Sequence, residues 1–284
     1  MSELETLLTG YGLIEAPVWD GTGLVFSDVP NGGLHRLGPD GEVTTVVAHR
    51  RGIGGAALHA DGGYVISGRN VAWKSGDSTA VLFAGDPTKP PKGFNDLTTD
   101  PLGRIYVGSL ELDPFSEERD ENPGCLYRID LDGTATVLAD DVLLTNGLGV
   151  SPDGRALYHS DSLRGVVWRY TMDGDGEVTG REAFLDVGDQ VPDGLAVAQD
   201  GSVWVALAHS GAVAVVEPDG TRRPDLPCPV PMVTSVCFGG ADLTDLYVVT
   251  GPDGAPAGLG GTVLRARGVG PGLPVLPAQV QPQS

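Results

Sequence analysis

Glu15, Gly54, Asn95, Asn146, Asp193 and Ser235 each open a similar strand-and-turn segment of this 284-residue chain, and two carboxylates and two amides stand among them. Brought together around an axis, Glu15, Asn95, Asn146 and Asp193 would repel one another and lose hydration unless a cation joined them. Oxygen-only donors suit a hard divalent ion. Ca2+ is the first choice, because it accepts irregular geometry and several waters; Mg2+, Mn2+ and Zn2+ stay open. No His or Cys occurs at these positions, as a structural zinc would require.

Taken singly, these are ordinary loop residues. Pro-Asp-Gly occurs five times, at Asp40, Asp153, Asp193, Asp219 and Asp253, and Asp-Gly commonly serves turn geometry alone. Register sets Asp193 apart. It stands eight residues before Gly201, as Glu15 does before Gly23, Gly54 before Gly62, Asn95 before Gly103 and Asn146 before Gly154. The other Pro-Asp-Gly aspartates sit in the turns themselves.

The elements that must position these groups are short β-strands. Apolar, β-branched runs such as Ile105 to Val107 and Val203 to Val205 are bounded by Gly, Pro, Asp or Asn, and no helix-length window keeps a helical apolar stripe free of Gly or Pro. The segments EAPVWDGTGLVFSD, GGAALHADGGYVISG, NDLTTDPLGRIYVGS, NGLGVSPDGRALYHS, DGLAVAQDGSVWVAL and, more weakly, SVCFGGADLTDLYVVT recur at intervals of 39 to 51 residues. That is the spacing of a propeller blade of four strands. The expected fold is all-β: a six-bladed β-propeller over residues 1–273, with the metal ion at one mouth of its central channel. Residues Glu5 to Thr9 should close the ring beside Thr262 to Ala266. Residues 274–284 form a Pro-rich tail that should fray.

Composition narrows the partners. Eighteen basic against 38 acidic side chains give a net charge of −20, which argues against nucleic acid and leaves a small-molecule substrate as the expected partner. No apolar stretch approaches the roughly 20 residues that cross a bilayer, so no membrane partner is expected. The N-terminus MSELETLLTG is acidic, and Cys125, Cys228 and Cys237 form no CxxC; both fit a cytoplasmic protein with buried thiols.

If the first strand of each blade leaves the metal mouth, the loops after each second strand return to it. The longest, Leu110 to Pro123, has the length of a lid or substrate wall. Arg69 is the best-placed cation for an anionic substrate group, and Trp73 in the same GRNVAWK stretch offers an apolar wall. His159 and His209 end second strands, where either would reach the mouth and move protons near neutral pH. His35, His49 and His59 read as structural.

Over nearly its whole length the chain resembles the SMP-30/gluconolactonase/LRE (regucalcin-like) family. EAPVW from 15, FNDLTTDPLGRIYVGS from 94, NGLGVSPDGRALYHSDS from 146 and PDGLAVAQDGSVWVA from 192 carry the resemblance. It implies a six-bladed propeller whose metal is held by Glu15, Asn146 and Asp193, with Asn95 beside the metal and touching water or substrate. It implies a sugar lactonase, or more distantly an organophosphate hydrolase. One departure stands out: such lactonases commonly carry Arg two residues before the Asn of the ND motif and Gly after the Asp, where this chain has Gly93 and Leu97.

The expected activity is therefore metal-dependent hydrolysis of a lactone or related cyclic ester, less polar than an aldonolactone because the Arg contact is missing. Asp193 is the expected general base and Asn95 the group that orients water or the carbonyl. No GxSxG elbow is present, and no nucleophilic Ser is required. Two alternatives stay open: phosphotriester hydrolysis at the same ion, and a non-catalytic calcium-binding or ligand-binding propeller.

Overall fold

A computed structural model describes residues 3–112 and 122–282. Six four-stranded antiparallel sheets surround a central channel, and among the described residues there is no α-helix, only a 3-10 turn at Ser162–Arg164. Blade 1 runs Ile14–Trp19, Leu24–Asp28, Leu34–Leu37, Val43–Val47; blade 2 runs Ala56–Leu58, Tyr64–Ile66, Val71–Ser75, Ser78–Phe83. Blade 3 comprises Gly93–Thr99, Ile105–Leu110, Gly124–Ile129 and Ala135–Val142; blade 4 comprises Thr145–Val150, Ala156–Asp161, Val166–Met172 and Val178–Asp186. Blade 5 contains Val191–Val197, Val203–Ala208, Ala212–Val216 and Leu226–Pro227. Blade 6 is closed by the chain's first strand: Leu4–Tyr11 pairs with Gly261–Ala266, outside Asp245–Thr250 and Val233–Gly239.

Alternation explains how the blades stack. Strand residues pointing to the two faces of a blade meet the neighbouring blades, so both faces are apolar and the core is divided into wedges. Between blades 5 and 6, for example, Ala206, Val213 and Trp204 pack with Val236, Phe238 and Val248. At the blade 6 to blade 1 junction Trp19 stacks on Tyr247, with ring centroids 5.5 Å apart.

The turns after the inner strands use left-handed glycines where expected in four blades: Gly62, Gly103, Gly154 and Gly201 have φ of +87°, +81°, +69° and +86°. Blade 1 differs. Its left-handed residue is Gly21, at φ +98°, whereas Gly23 is needed because a β-carbon there would strike the Leu37 carbonyl.

Through Pro282, the last described residue, the Pro-rich tail is not frayed. It crosses the end of the channel opposite the mouth and hydrogen-bonds blade after blade: Leu273 N–H to the Val197 carbonyl, Thr99 Oγ1 to the Leu276 carbonyl, Ala278 N–H to the Leu58 carbonyl and Gln279 N–H to the Gly103 carbonyl. Ala278 and Val280 are fully buried. His59 fixes its end, with Nε2 donating 3.1 Å to the Val280 carbonyl while Nδ1 accepts the Asp61 N–H. Backbone groups satisfied by the strap would otherwise face the channel end, and Ala278 and Val280 fill an apolar gap beside Ala57 and Val107.

The three cysteines are unpaired and half-buried. Burial pushes the Cys228 thiol up to about 12. No helix among the described residues is long and apolar enough to cross a membrane.

Candidate active site

Every inner strand opens at one mouth of the channel, and a bulge occurs there in blades 1, 3, 4, 5 and 6. A bulge breaks the ladder locally and re-aims a side chain. In blade 3 it lies between Phe94 and Leu97, releasing Asn95 and Asp96 from pairing; in blade 4 it lies between Thr145 and Leu148, releasing Asn146. Blade 5 repeats the pattern between Pro192 and Leu195, around Asp193.

The freed side chains meet. Asn95 Nδ2 donates to Asn146 Oδ1 at 2.6 Å and to the Thr145 carbonyl at 2.8 Å. Asn146 Nδ2 in turn donates to Ser162 Oγ at 2.8 Å, and Ser162 Oγ donates to the Pro192 carbonyl at 2.6 Å. Blade 2 makes room by contributing no side chain, since a β-carbon at Gly54 would collide with Asn95 Oδ1. Gly194 does the same for Ser235.

Glu15 and Asp193 supply the charge. Burial holds the Glu15 carboxyl well above the usual range, and the charges of Asp193 and Asp96 add to the shift. Burial likewise raises Asp193, reinforced by Asp96 and opposed by the Gly194 N–H. Asp193 Oδ1 is buried with no hydrogen-bond partner among the described residues. Asp96 is lifted to about 7, again chiefly by burial. These carboxylates are near enough for their charges to add, and among the described residues no Lys or Arg is paired to them.

That donor chemistry fits a divalent cation: two carboxylates that resist ionising, an orphaned carboxylate oxygen and an inward amide oxygen. Among the described residues no group of three or more His, Cys, Asp or Glu side chains is placed to hold a metal ion by itself. Any such ion must therefore draw on the amides as well as on Glu15 and Asp193. Below the ring the channel widens into a cavity of about 630 Å3, lined by Leu58, Asp96, Leu148, Leu195, Phe238 and Leu276.

The remaining expected residues separate. Arg69 is exposed in the turn after the second strand of blade 2, beside the two-way bridge between Gly68 and Phe94, and so belongs to the mouth. His209 is exposed in the corresponding turn of blade 5, at φ +61°. Trp73 does not line the mouth. The third strand of blade 2 begins at Val71, so Trp73 lies within that strand, stacked on His59 at 4.1 Å and donating Nε1 to the Gly62 carbonyl at the far end.

His159 is fully buried behind the ring, its Nε2 3.1 Å from Thr145 Oγ1. Burial, aided by the Arg181 charge, pushes its pKa down to about 3. It stays neutral near pH 7 and moves no proton there. The lid expected over Leu110 to Pro123 falls largely on residues 113–121, outside the described residues.

Three participants were not singled out from the sequence: Thr145, Ser162 and the half-buried Asp96. Asp96 adjoins Asn95 in the ND pair, which was the available signal; nothing local marked Thr145 or Ser162.

The family model described as the SMP-30/Gluconolactonase/LRE-like region matches residues 13–251. A 6-deoxy-6-sulfogluconolactonase of Pseudomonas putida is 35% identical over 245 residues, covering 83% of this chain and 82% of its own. A pentonolactonase of Haloferax volcanii is 33% identical over 256 residues, covering 87% and 84%. Among solved structures, a calcium-binding protein, regucalcin, from Agrobacterium tumefaciens superposes with a TM-score of 0.84 at 21% identity, covering 99% of this chain and 98% of that one. With the match spanning every inner strand from blade 1 to blade 6, the chain belongs to the SMP-30/gluconolactonase/LRE-like family.

Proposed function

We propose that the chain is a metal-dependent hydrolase that opens a lactone or related cyclic ester. The observation that carries this reading is the convergence of Glu15 and Asp193, from blades 1 and 5, on a mouth shared with Asn95 and Asn146, where no cation among the described residues neutralises them. Relatives named for sulfogluconolactone and pentonolactone hydrolysis support the substrate class.

Glu15, Asn146 and Asp193 would hold the ion, with Ca2+ the first choice; the solved relative is named a calcium-binding protein. When bound, such an ion supplies Lewis acidity, which polarises a lactone carbonyl and acidifies water. The protein's own groups do the rest. Asp193 Oδ1, unpartnered and made more basic by burial, accepts the proton of the attacking water. Both N–H groups of Asn95 are committed, to Thr145 and Asn146, so its free atom is Oδ1. Asn95 therefore orients the water by accepting from it, rather than by donating to the carbonyl.

Substrate preference turns on Gly93. A β-carbon there would come within 3.2 Å of the Gly68 carbonyl, so a side chain at this position would press on the bridge between Gly68 and Phe94, and glycine fits it without a shift. Without that arm, the mouth favours a lactone carrying fewer hydroxyls than an aldonolactone. Arg69, beside the bridge, and His209 across the ring are two of the polar groups near its rim.

The test is the Asp193→Asn variant against parallel lactone and phosphotriester panels at fixed metal concentration. Wild type should turn over lactones faster than phosphotriesters, and the variant should lose at least about 100-fold in kcat with an unchanged circular dichroism spectrum. Full turnover by the variant removes Asp193 from the mechanism; preference for phosphotriesters replaces the lactonase reading.

A further inference from the structure

We infer that Ser162 is a positioning residue that fixes which end of the Asn146 amide faces the ion, and that it joins the ligand-bearing strands of blades 4 and 5. This rests on the metal-site reading above. An asparagine ligates a cation only through Oδ1; turned over, it presents two N–H groups and repels it. Something must distinguish the two orientations.

Ser162 Oγ does so through the direction of its own hydrogen bond. Its proton is spent on the Pro192 carbonyl at 2.6 Å, so the face turned to Asn146 holds only lone pairs. That face accepts Asn146 Nδ2 at 2.8 Å, which leaves Oδ1 on the side of the mouth, where Asn95 Nδ2 reaches it at 2.6 Å and a second lone pair stays free. A flipped amide would set Oδ1 against an oxygen that has no proton to offer. Pro192 precedes Asp193, so the same hydroxyl ties the Asn146 amide to the backbone that carries the second carboxylate.

Ser162 is itself held firmly. It is 4% exposed, its N–H donates to the Leu144 carbonyl at 3.0 Å, and its carbonyl accepts from Gly165, whose left-handed conformation (φ +66°) ends the 3-10 turn. A rigid acceptor of this kind fixes ligand orientation before binding, and loss of such outer support typically costs about 10- to 100-fold in metal affinity.

The test is calorimetric titration of metal-stripped full-length protein with Ca2+, which reads binding without turnover. Ser162→Ala should weaken binding about 10- to 100-fold, while metal-free protein melts close to wild type. Ser162→Thr, which keeps the hydroxyl, should restore affinity. The decisive arm uses Asn146→Asp, whose two oxygens leave no orientation to select: in that background Ser162→Ala should cost almost nothing. Equal affinity of S162A and wild type overturns the inference, and so does an undiminished loss in the N146D background, which would mark a general loosening of the turn. Should wild type bind none of Ca2+, Mg2+, Mn2+ or Zn2+, the metal site itself is wrong and the role of Ser162 goes with it.

Discussion

Asn95 and Asn146, 51 residues apart in sequence, are joined by a 2.6 Å hydrogen bond from Nδ2 to Oδ1 across the blade 3 to blade 4 boundary. Each amide lies in an inner-strand bulge. The contact orients both, since it commits an Asn95 N–H, leaving Asn95 Oδ1 as that amide's free acceptor, and leaves Asn146 Oδ1 a second lone pair.

Replacing Asn95 with Asp keeps the shape and removes both donors. The new carboxylate would face Asn146 Oδ1 and the Thr145 carbonyl, two acceptors it cannot satisfy. Asn95→Asp should lower kcat on a lactone by about 100-fold or more. A kcat within a few-fold of wild type would show that Asn95 plays no part in orienting the reacting groups.

The strap carries a stability prediction. Truncation after Gly272 removes buried Ala278 and Val280 and the His59 contact to Val280. Burial of that size contributes about 2–3 kcal/mol, so the melting temperature should fall by roughly 4–12 °C. A truncated protein melting with the full chain would mean that the strap lies on the propeller without supporting it.

Legibility followed local geometry. Asn95, Asn146 and Asp193 were found because the inner strand and its turn are built from adjacent residues, and the left-handed turns require Gly103, Gly154 and Gly201 eight positions on. Ser162 and Thr145 were not, because their partners lie in other blades and Ser and Thr occur in every kind of turn. Trp73 was misplaced because residues 67–70 suffice to turn blade 2, one strand earlier than the aromatic residue suggested. The strap was misread because prolines conceal its pairing with Leu58, some 220 residues earlier, while Ala278 and Val280 show no pattern until that partner is known.

Asp96 gives the metal-free protein a distinctive pH dependence. Its folded pKa, about 7, exceeds its ordinary value of 3.8, so the ionised form is disfavoured on folding. The resulting destabilisation begins as pH rises through 3.8 and is complete above about 7. In EDTA, Asp96→Asn should therefore melt several degrees above wild type at pH 8, with the advantage shrinking toward pH 5. An equal difference at both pH values would show that Asp96 does not titrate in this window.

His159 works in the opposite sense. A pKa of about 3 in the fold, against an ordinary value of 6.5, means that the unfolded chain takes up a proton the folded chain refuses. Stability is unaffected above pH 6.5 and falls progressively as pH drops from there toward 3. His159→Gln, which retains a partner for Thr145 Oγ1, should be less stable than wild type at pH 7.5 and lose less stability on going to pH 5. Parallel melting curves in EDTA would contradict this.

The most direct measurement is lactone hydrolysis by metal-stripped protein, before and after Ca2+, Mg2+, Mn2+ or Zn2+ is restored singly, alongside Glu15→Gln. Stripping should abolish turnover, one or more ions should restore it to wild type, and Glu15→Gln should respond only at much higher ion concentration. Full turnover by stripped wild-type protein in excess chelator would contradict a metal held between Glu15, Asn146 and Asp193.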